Sequence, residues 1–106
     1  MAWIYLVFAG LLEIAWAFAL KASDGFSRLG WSIFTLVAMA ASFWLLALAM
    51  RSLPLGTAYA IWTGIGALGA FIVGIVVLGE AVSLMRIGSA ALILAGLVGL
   101  KLSSGE

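Results

Sequence analysis

The chain has 106 residues, of which 67% are hydrophobic and only 8% are charged. Soluble domains average about 45–50% apolar and about 25% charged residues, and a chain this short has too small an interior to hide the excess from water. The net charge of +1 and the lack of histidine and cysteine exclude a basic nucleic-acid surface, thiol or Ser-His-Asp catalysis and the usual zinc, haem and iron–sulfur sites. We therefore expect a membrane protein that is not an enzyme and holds no cofactor or metal.

Four apolar runs are each long enough to cross a bilayer as a helix, which takes about 20 residues. The first run is interrupted only by Glu13, the second contains no charge, and Pro54 breaks the chain between the second and the third. The runs are longer than the strands of a membrane β-barrel and lack their two-residue alternation. The sequence therefore predicts one all-α transmembrane domain, a compact antiparallel four-helix bundle. Its predicted spans are about 2–20, 29–50, 57–78 and 84–101.

The positive charges favour neither orientation in the membrane. With four spans, one side carries Arg51 and Lys101 with the α-amine, and the other carries Lys21, Arg28 and Arg86. Two side chains against three give almost no preference under the positive-inside rule. One interpretation is dual topology, in which copies inserted both ways pair as an antiparallel dimer. The other is a weakly oriented protein whose direction is fixed by something else.

The size of the chain supports the first interpretation if the protein is a transporter. Transporters commonly bind substrate between two inverted repeats. No such repeat is visible here, because Glu13 has no counterpart in the third span and the glycine cluster of that span has none in the first. A second copy inserted the other way would supply the missing half.

Glu13 is the only ionisable side chain well inside a predicted span. A charge at that depth is costly and is by default a functional-site hypothesis; the alternative is a buried, protonated carboxyl bonded to a neighbouring helix. Gly10 and Trp16 lie on the same helix face. Since lysine and arginine lie only at span ends or in connections, the partner of Glu13 is a proton, an external cation, a hydroxyl or an indole N–H. A proton and a cation that exclude each other from one carboxyl meet the requirement of proton-coupled antiport.

Side chains of the second and third spans are candidates for the surroundings of Glu13. Tyr59 and Trp62 are three residues apart, hence on one helix face, and offer hydrogen-bond donors and cation–π surfaces. Tyr59 fits an interfacial aromatic belt equally well. Ser42 is a polar side chain in a charge-free helix, although such hydroxyls often bond only the preceding turn of their own helix.

Three glycines of the third span, Gly64, Gly66 and Gly69, match the pattern G-x-G-x-x-G. That pattern indicates dinucleotide binding only where a strand meets a helix in a βαβ unit. Inside an apolar span the glycines favour a bendable helix segment, which would serve alternating access.

The fourth span carries small residues at helical spacing. Ser89 and Gly96 are seven residues apart, and Leu92 lies on a similar face. Small residues at this spacing let helices pack closely in lipid. The stripe is interpreted as a dimer seam, and packing within one subunit is the alternative.

Three blocks of the chain form a distinctive pattern together with Lys21: GLLEIAWA at 10–17, ASFWLL at 41–46 and LPLGTAYAIWTGIGA at 53–67. On these blocks the sequence resembles the small multidrug resistance family, and most closely its guanidinium-exporter branch. Trp16 and Met39 are typical of that branch, whereas the quaternary-ammonium branch typically has glycine and tyrosine there. The resemblance covers essentially the whole chain.

This resemblance implies an antiparallel, dual-topology homodimer in the cytoplasmic membrane that exports guanidinium in exchange for protons bound at Glu13. The planar cation presents N–H donors in a fork that suits a carboxylate. The implied pocket residues around Glu13 are Gly10, Trp16, Ser42, Tyr59 and Trp62. The expected pocket wall or lipid-facing portal consists of Met39, Phe43 and Leu46. Two alternatives stay open: a broader quaternary-ammonium or multidrug exporter of the same family, and a non-transporting oligomer such as a proton-conducting ring.

Overall fold

The computed structural model describes residues 1–103 and contains four helices joined by short connections. Each helix is long and apolar enough to cross a membrane, because about 20 residues rising 1.5 Å each span the hydrocarbon core of about 30 Å. The described residues contain no strand, which confirms the all-α prediction. The helices are α1 (Ala2–Ala22), α2 (Leu29–Met50), α3 (Leu55–Val76) and α4 (Leu84–Ser103).

Helix α3 begins and ends two residues earlier than the predicted span of 57–78. Pro54 directly precedes its first residue with φ −58°, close to the helical value to which the proline ring is restricted. At the other end Gly79 adopts a left-handed φ of +69°, and the Glu80 amide donates to the Gly74 carbonyl over 2.9 Å. The chain therefore leaves the helix inside a stretch that is still apolar.

The four helices form a layer, and the compact antiparallel bundle predicted from the sequence is not found in the single subunit. Helix α1 packs against α2 and α3, which also meet each other, whereas α4 packs mainly along α3. Lys101 Nζ of α4 also lies 4.5 Å from the centre of the Trp3 ring of α1. The Cα atoms extend over 43 × 35 × 16 Å. Both longer dimensions exceed the length of a 20-residue helix, about 30 Å, so the helices are spread side by side. Helix α4 thus lies at an edge, and none of its residues is buried.

The core lies where α1, α2 and α3 meet. Alanines at three of its positions let the helix backbones approach closely, as is typical of helix contacts in membranes. The cluster includes Trp62, which lies one helical turn before Gly66 in α3. Its buried members are Leu6, Ala9, Leu46, Ala49, Leu53, Ala58, Ile61 and Trp62.

Candidate functional site

Glu13 lies in the middle of α1 and is the one acidic residue within the four helices. Its carboxyl packs against α3 at Gly66, where an added Cβ would overlap Oε1 and Cδ and lie 2.7 Å from Cγ. Oε1 is buried and has no hydrogen-bond partner. A buried polar atom without a partner is costly and marks a place where a proton, water or ligand belongs.

Ser42 ties the three core helices together beside this carboxyl. Its hydroxyl donates to the Ala9 carbonyl of α1 over 2.6 Å and accepts the indole N–H of Trp62 from α3 over 3.0 Å. Ser42 and Ala9 are completely buried, and Trp62 is 7% exposed. Ala9 lies one helical turn before Glu13, so the network fixes the turn of α1 that leads to the carboxyl. The hydroxyl bonds a neighbouring helix, whereas hydroxyls in spans often bond only their own.

An aromatic cluster surrounds this network. The ring of Phe43 lies edge-on to Trp16, with centroids 6.4 Å apart, and edge-on to Trp62 at 5.7 Å. Tyr59 lies 5.8 Å from Trp62. The indole nitrogen of Trp16 is buried without a hydrogen-bond partner. The structure thus brings Trp16, Ser42, Tyr59 and Trp62 into one continuous network, whose rings offer faces to a cation.

Two of the residues expected in the pocket have a different or mixed environment. Gly10 is buried, and an added Cβ would lie 2.8 Å from the Cβ of Ile65, so its small size admits the neighbouring helix. Tyr59 is 54% exposed and reaches the network only through its ring contact with Trp62. This position agrees with both interpretations of Tyr59, the pocket and the aromatic belt.

The residues expected at the pocket wall or portal divide into two groups. Phe43 is 47% exposed and Met39 is half-buried. Leu46 is 8% exposed and belongs to the core cluster with Trp62. Within the subunit Leu46 therefore supports the wall from behind and does not face lipid.

The glycines of α3 lie at close contacts with the neighbouring helices. A Cβ at Gly64 would lie 3.0 Å from Cγ of Leu97 in α4, and one at Gly69 would overlap Ile14 of α1. Helix α3 runs without a break through these positions. Close packing accounts for the glycines in this conformation, and flexing of α3 stays a prediction.

The small-residue stripe of α4 is open in the single subunit. Leu92 is 74% exposed, Ser89 is also exposed, and an added Cβ at Gly96 would meet nothing within 4 Å. Packing within the subunit therefore does not account for the stripe, and its role as a dimer seam remains a prediction.

Two of these contacts could not be predicted from the residue pattern. The Ala9 carbonyl is a backbone acceptor, which no residue pattern reveals. The contact between Ile65 and Gly10 depends on how α1 and α3 are rotated against each other. Among residues 1–103 no group of His, Cys, Asp or Glu could hold a metal ion.

Comparison with known proteins shows close relatives over almost the whole chain. A protein of Yersinia pseudotuberculosis named "Guanidinium exporter" is 70% identical over 104 residues, which cover 98% of this chain and 100% of the relative. Proteins with the same name from Escherichia coli K12 and Salmonella typhimurium are 62% and 60% identical over 104 residues, with 98% of this chain and 99% of each relative covered. Residues 1–93 match the Small Multidrug Resistance protein family. This chain is a multi-pass membrane protein of the small multidrug resistance family.

Proposed function

We propose that two copies of this chain form an antiparallel, dual-topology homodimer that exports guanidinium across the cytoplasmic membrane in exchange for protons. The observation that carries the proposal is the buried Glu13 Oε1, which has no hydrogen-bond partner. Glu13 is also the one acidic residue of its helix. Relatives of 60–70% identity that bear the name "Guanidinium exporter" support this substrate. The chain itself is expected to perform no covalent chemistry.

The chemistry of the exchange follows from the surroundings of Glu13. A carboxyl that is removed from water and lacks a lysine or arginine partner holds either a proton or a cation, because the two neutralise the same charge. Guanidinium can donate N–H groups to the carboxylate and lay its plane against an indole ring. A quaternary ammonium ion lacks those N–H donors and gains only charge and cation–π attraction.

The incomplete shape of the subunit supports a dimer. Helix α4 lies at the edge of the layer with no buried residue, and Leu92 is mostly exposed. A binding site between two such layers would be open to one side of the membrane at a time, as alternating access requires. Copies of opposite orientation would provide the inverted repeat that the single chain lacks.

The test uses purified protein in liposomes that contain a pH-sensitive dye. A guanidinium gradient should drive protons in the opposite direction, and guanidinium binding should weaken as the pH falls. Glu13→Gln should abolish both the exchange and the pH dependence of binding. Glu80→Gln is the matched control, because it removes the same charge in the α3–α4 connection. Exchange or pH-dependent binding in Glu13→Gln would remove Glu13 from the mechanism.

The same liposomes distinguish the alternatives. Tetraalkylammonium flux that equals or exceeds guanidinium flux would favour the broader exporter, for which the exposed Phe43 offers an apolar surface. Proton flux without any organic cation, from an assembly larger than a dimer, would favour a proton-conducting ring.

A further inference from the structure

We propose that Gly66 is a positioning residue that seats the Glu13 carboxyl against α3; this inference rests on the proposed role of Glu13 in binding guanidinium and protons. The glycine pattern alone favours flexibility as the reason for a glycine here. The structure points to a steric reason, because the space that a Cβ would occupy at Gly66 is filled by the carboxyl itself.

The position of the carboxyl against Gly66, called the seat below, also explains why one carboxyl oxygen is shielded from solvent. The buried, unpartnered atom is Oε1, the same oxygen that a Cβ at Gly66 would overlap. Glycine is thus the one residue that lets the carboxyl lie against the α3 backbone. Any larger side chain at Gly66 would turn the carboxyl away from α3.

Two other glycines of α3 supply matched controls. A Cβ at Gly69, one turn further along α3, would overlap Ile14, which is apolar. A Cβ at Gly56, in the first turn of the same helix, would meet nothing within 4 Å. Gly69→Ala therefore reports on close packing between α1 and α3, and Gly56→Ala on the general stiffening that alanine brings to a helix.

The variant Gly66→Ala should fold, because the atoms it overlaps are the far end of a flexible side chain. Its guanidinium affinity should fall roughly 10- to 100-fold, the loss that corresponds to one hydrogen bond with a charged group. Gly56→Ala should bind guanidinium like the parent. Gly69→Ala should lower the midpoint of thermal unfolding and change guanidinium affinity little.

The decisive measurement is rescue by a shorter carboxylate. Glu13→Asp removes one methylene and alone should weaken binding, because its carboxyl falls short. In the double variant Glu13→Asp/Gly66→Ala the shorter side chain overlaps the new methyl group less, because Oε1 is gone and the closest fixed atom is Cγ, at 2.7 Å. The two losses should therefore combine to less than their product. Glu13→Asp should give no such relief to Gly69→Ala. Losses that multiply in both pairs would overturn the proposal.

A stability measurement keeps the proposal separate from the function on which it rests. Gly66→Ala should lower the midpoint of thermal unfolding less in a Glu13→Ala background, where the seat is empty, than in the parent. This comparison needs no substrate and applies even if Gly66→Ala alone folds poorly. Equal shifts in both backgrounds would overturn the proposed contact between Gly66 and Glu13. A parent protein that fails to bind guanidinium would overturn the proposed function, and the stability measurements would still test the coupling between Gly66 and Glu13.

Discussion

At the scale of single residues, the hydroxyl of Ser42 has only one hydrogen to donate, and this decides whether Ser42 can bond Glu13. A serine hydroxyl has one donor and two acceptor positions. Its donor is used on the Ala9 carbonyl and one acceptor position on the Trp62 indole. In this conformation Ser42 therefore donates nothing to the carboxyl. Its contribution is to hold α1, α2 and α3 in register beside the buried acid.

Replacing this serine should be felt in both stability and binding. Ser42→Ala leaves the buried Trp62 N–H without an acceptor. Hydrogen bonds between membrane helices contribute about 0.6 kcal/mol on average and about 1–2 kcal/mol in model peptides. We therefore expect the free energy of unfolding of the purified protein, followed by heating, to fall by roughly 1 kcal/mol. Guanidinium binding should also weaken, because the indole is free to turn.

Ser32→Ala is the control for this prediction. Ser32 lies on the same helix, but its hydroxyl donates to the Arg28 carbonyl, four residues earlier in the chain, so its loss should change stability little. In a Trp62→Phe background the cost of Ser42→Ala should shrink, since the unpaired N–H is gone. An equal cost in both backgrounds would show that the indole contact contributes nothing.

At the scale of the helices, the apolar runs and Glu13 could be predicted because both depend on composition alone. The end of α3 could not, because the residues after it are as apolar as the helix. The helix stops through the left-handed Gly79 and the hydrogen bond from Glu80 to Gly74. Likewise, Gly66 is visible in the sequence, but the side chain that fills its space depends on the rotation of α1 against α3. The helices could therefore be predicted from the sequence better than the contacts between them.

Helix α4 allows two glycine contacts to be separated by experiment. A side chain at Gly96 would enter open space, whereas one at Gly64 of α3 would meet Leu97. We therefore expect Gly96→Leu to abolish dimers while the subunit folds as before. Gly64→Leu should destabilise the subunit by about 1–3 kcal/mol, the usual cost of overpacking.

Light scattering of the purified protein gives the mass of the assembly, and thermal unfolding gives the subunit stability. Dimers of Gly96→Leu with unchanged transport would place the seam on another surface. In that case the open stripe of α4 would face lipid, where small residues are not required.

At the scale of the whole molecule, the subunit is an open layer whose Cα atoms extend over 16 Å in the shortest direction. Three helices share the small core, while the fourth extends along one edge with its side chains open. Lipid can cover such a surface, because it is as apolar as the tails around it. The layer does not enclose Glu13 from both sides by itself. A second layer in the opposite orientation would enclose it. In the proposed dimer, the nearly balanced positive charges allow copies to insert in both orientations.

The balance of charges leads to a direct measurement of orientation. The chain contains no cysteine, so single cysteines can be introduced without background. Ser27 lies in the connection between α1 and α2, and Ser52 lies between α2 and α3, both exposed; since α2 crosses the membrane, the two sites lie on opposite sides. With dual topology, a membrane-impermeant thiol reagent should label about half of the copies of Ser27→Cys and about half of Ser52→Cys in intact cells, and the rest only after the membrane is opened. If one variant is labelled completely and the other not at all, every copy has the same orientation. The antiparallel homodimer would then be wrong, and the exchange at Glu13 would need a partner of a different kind.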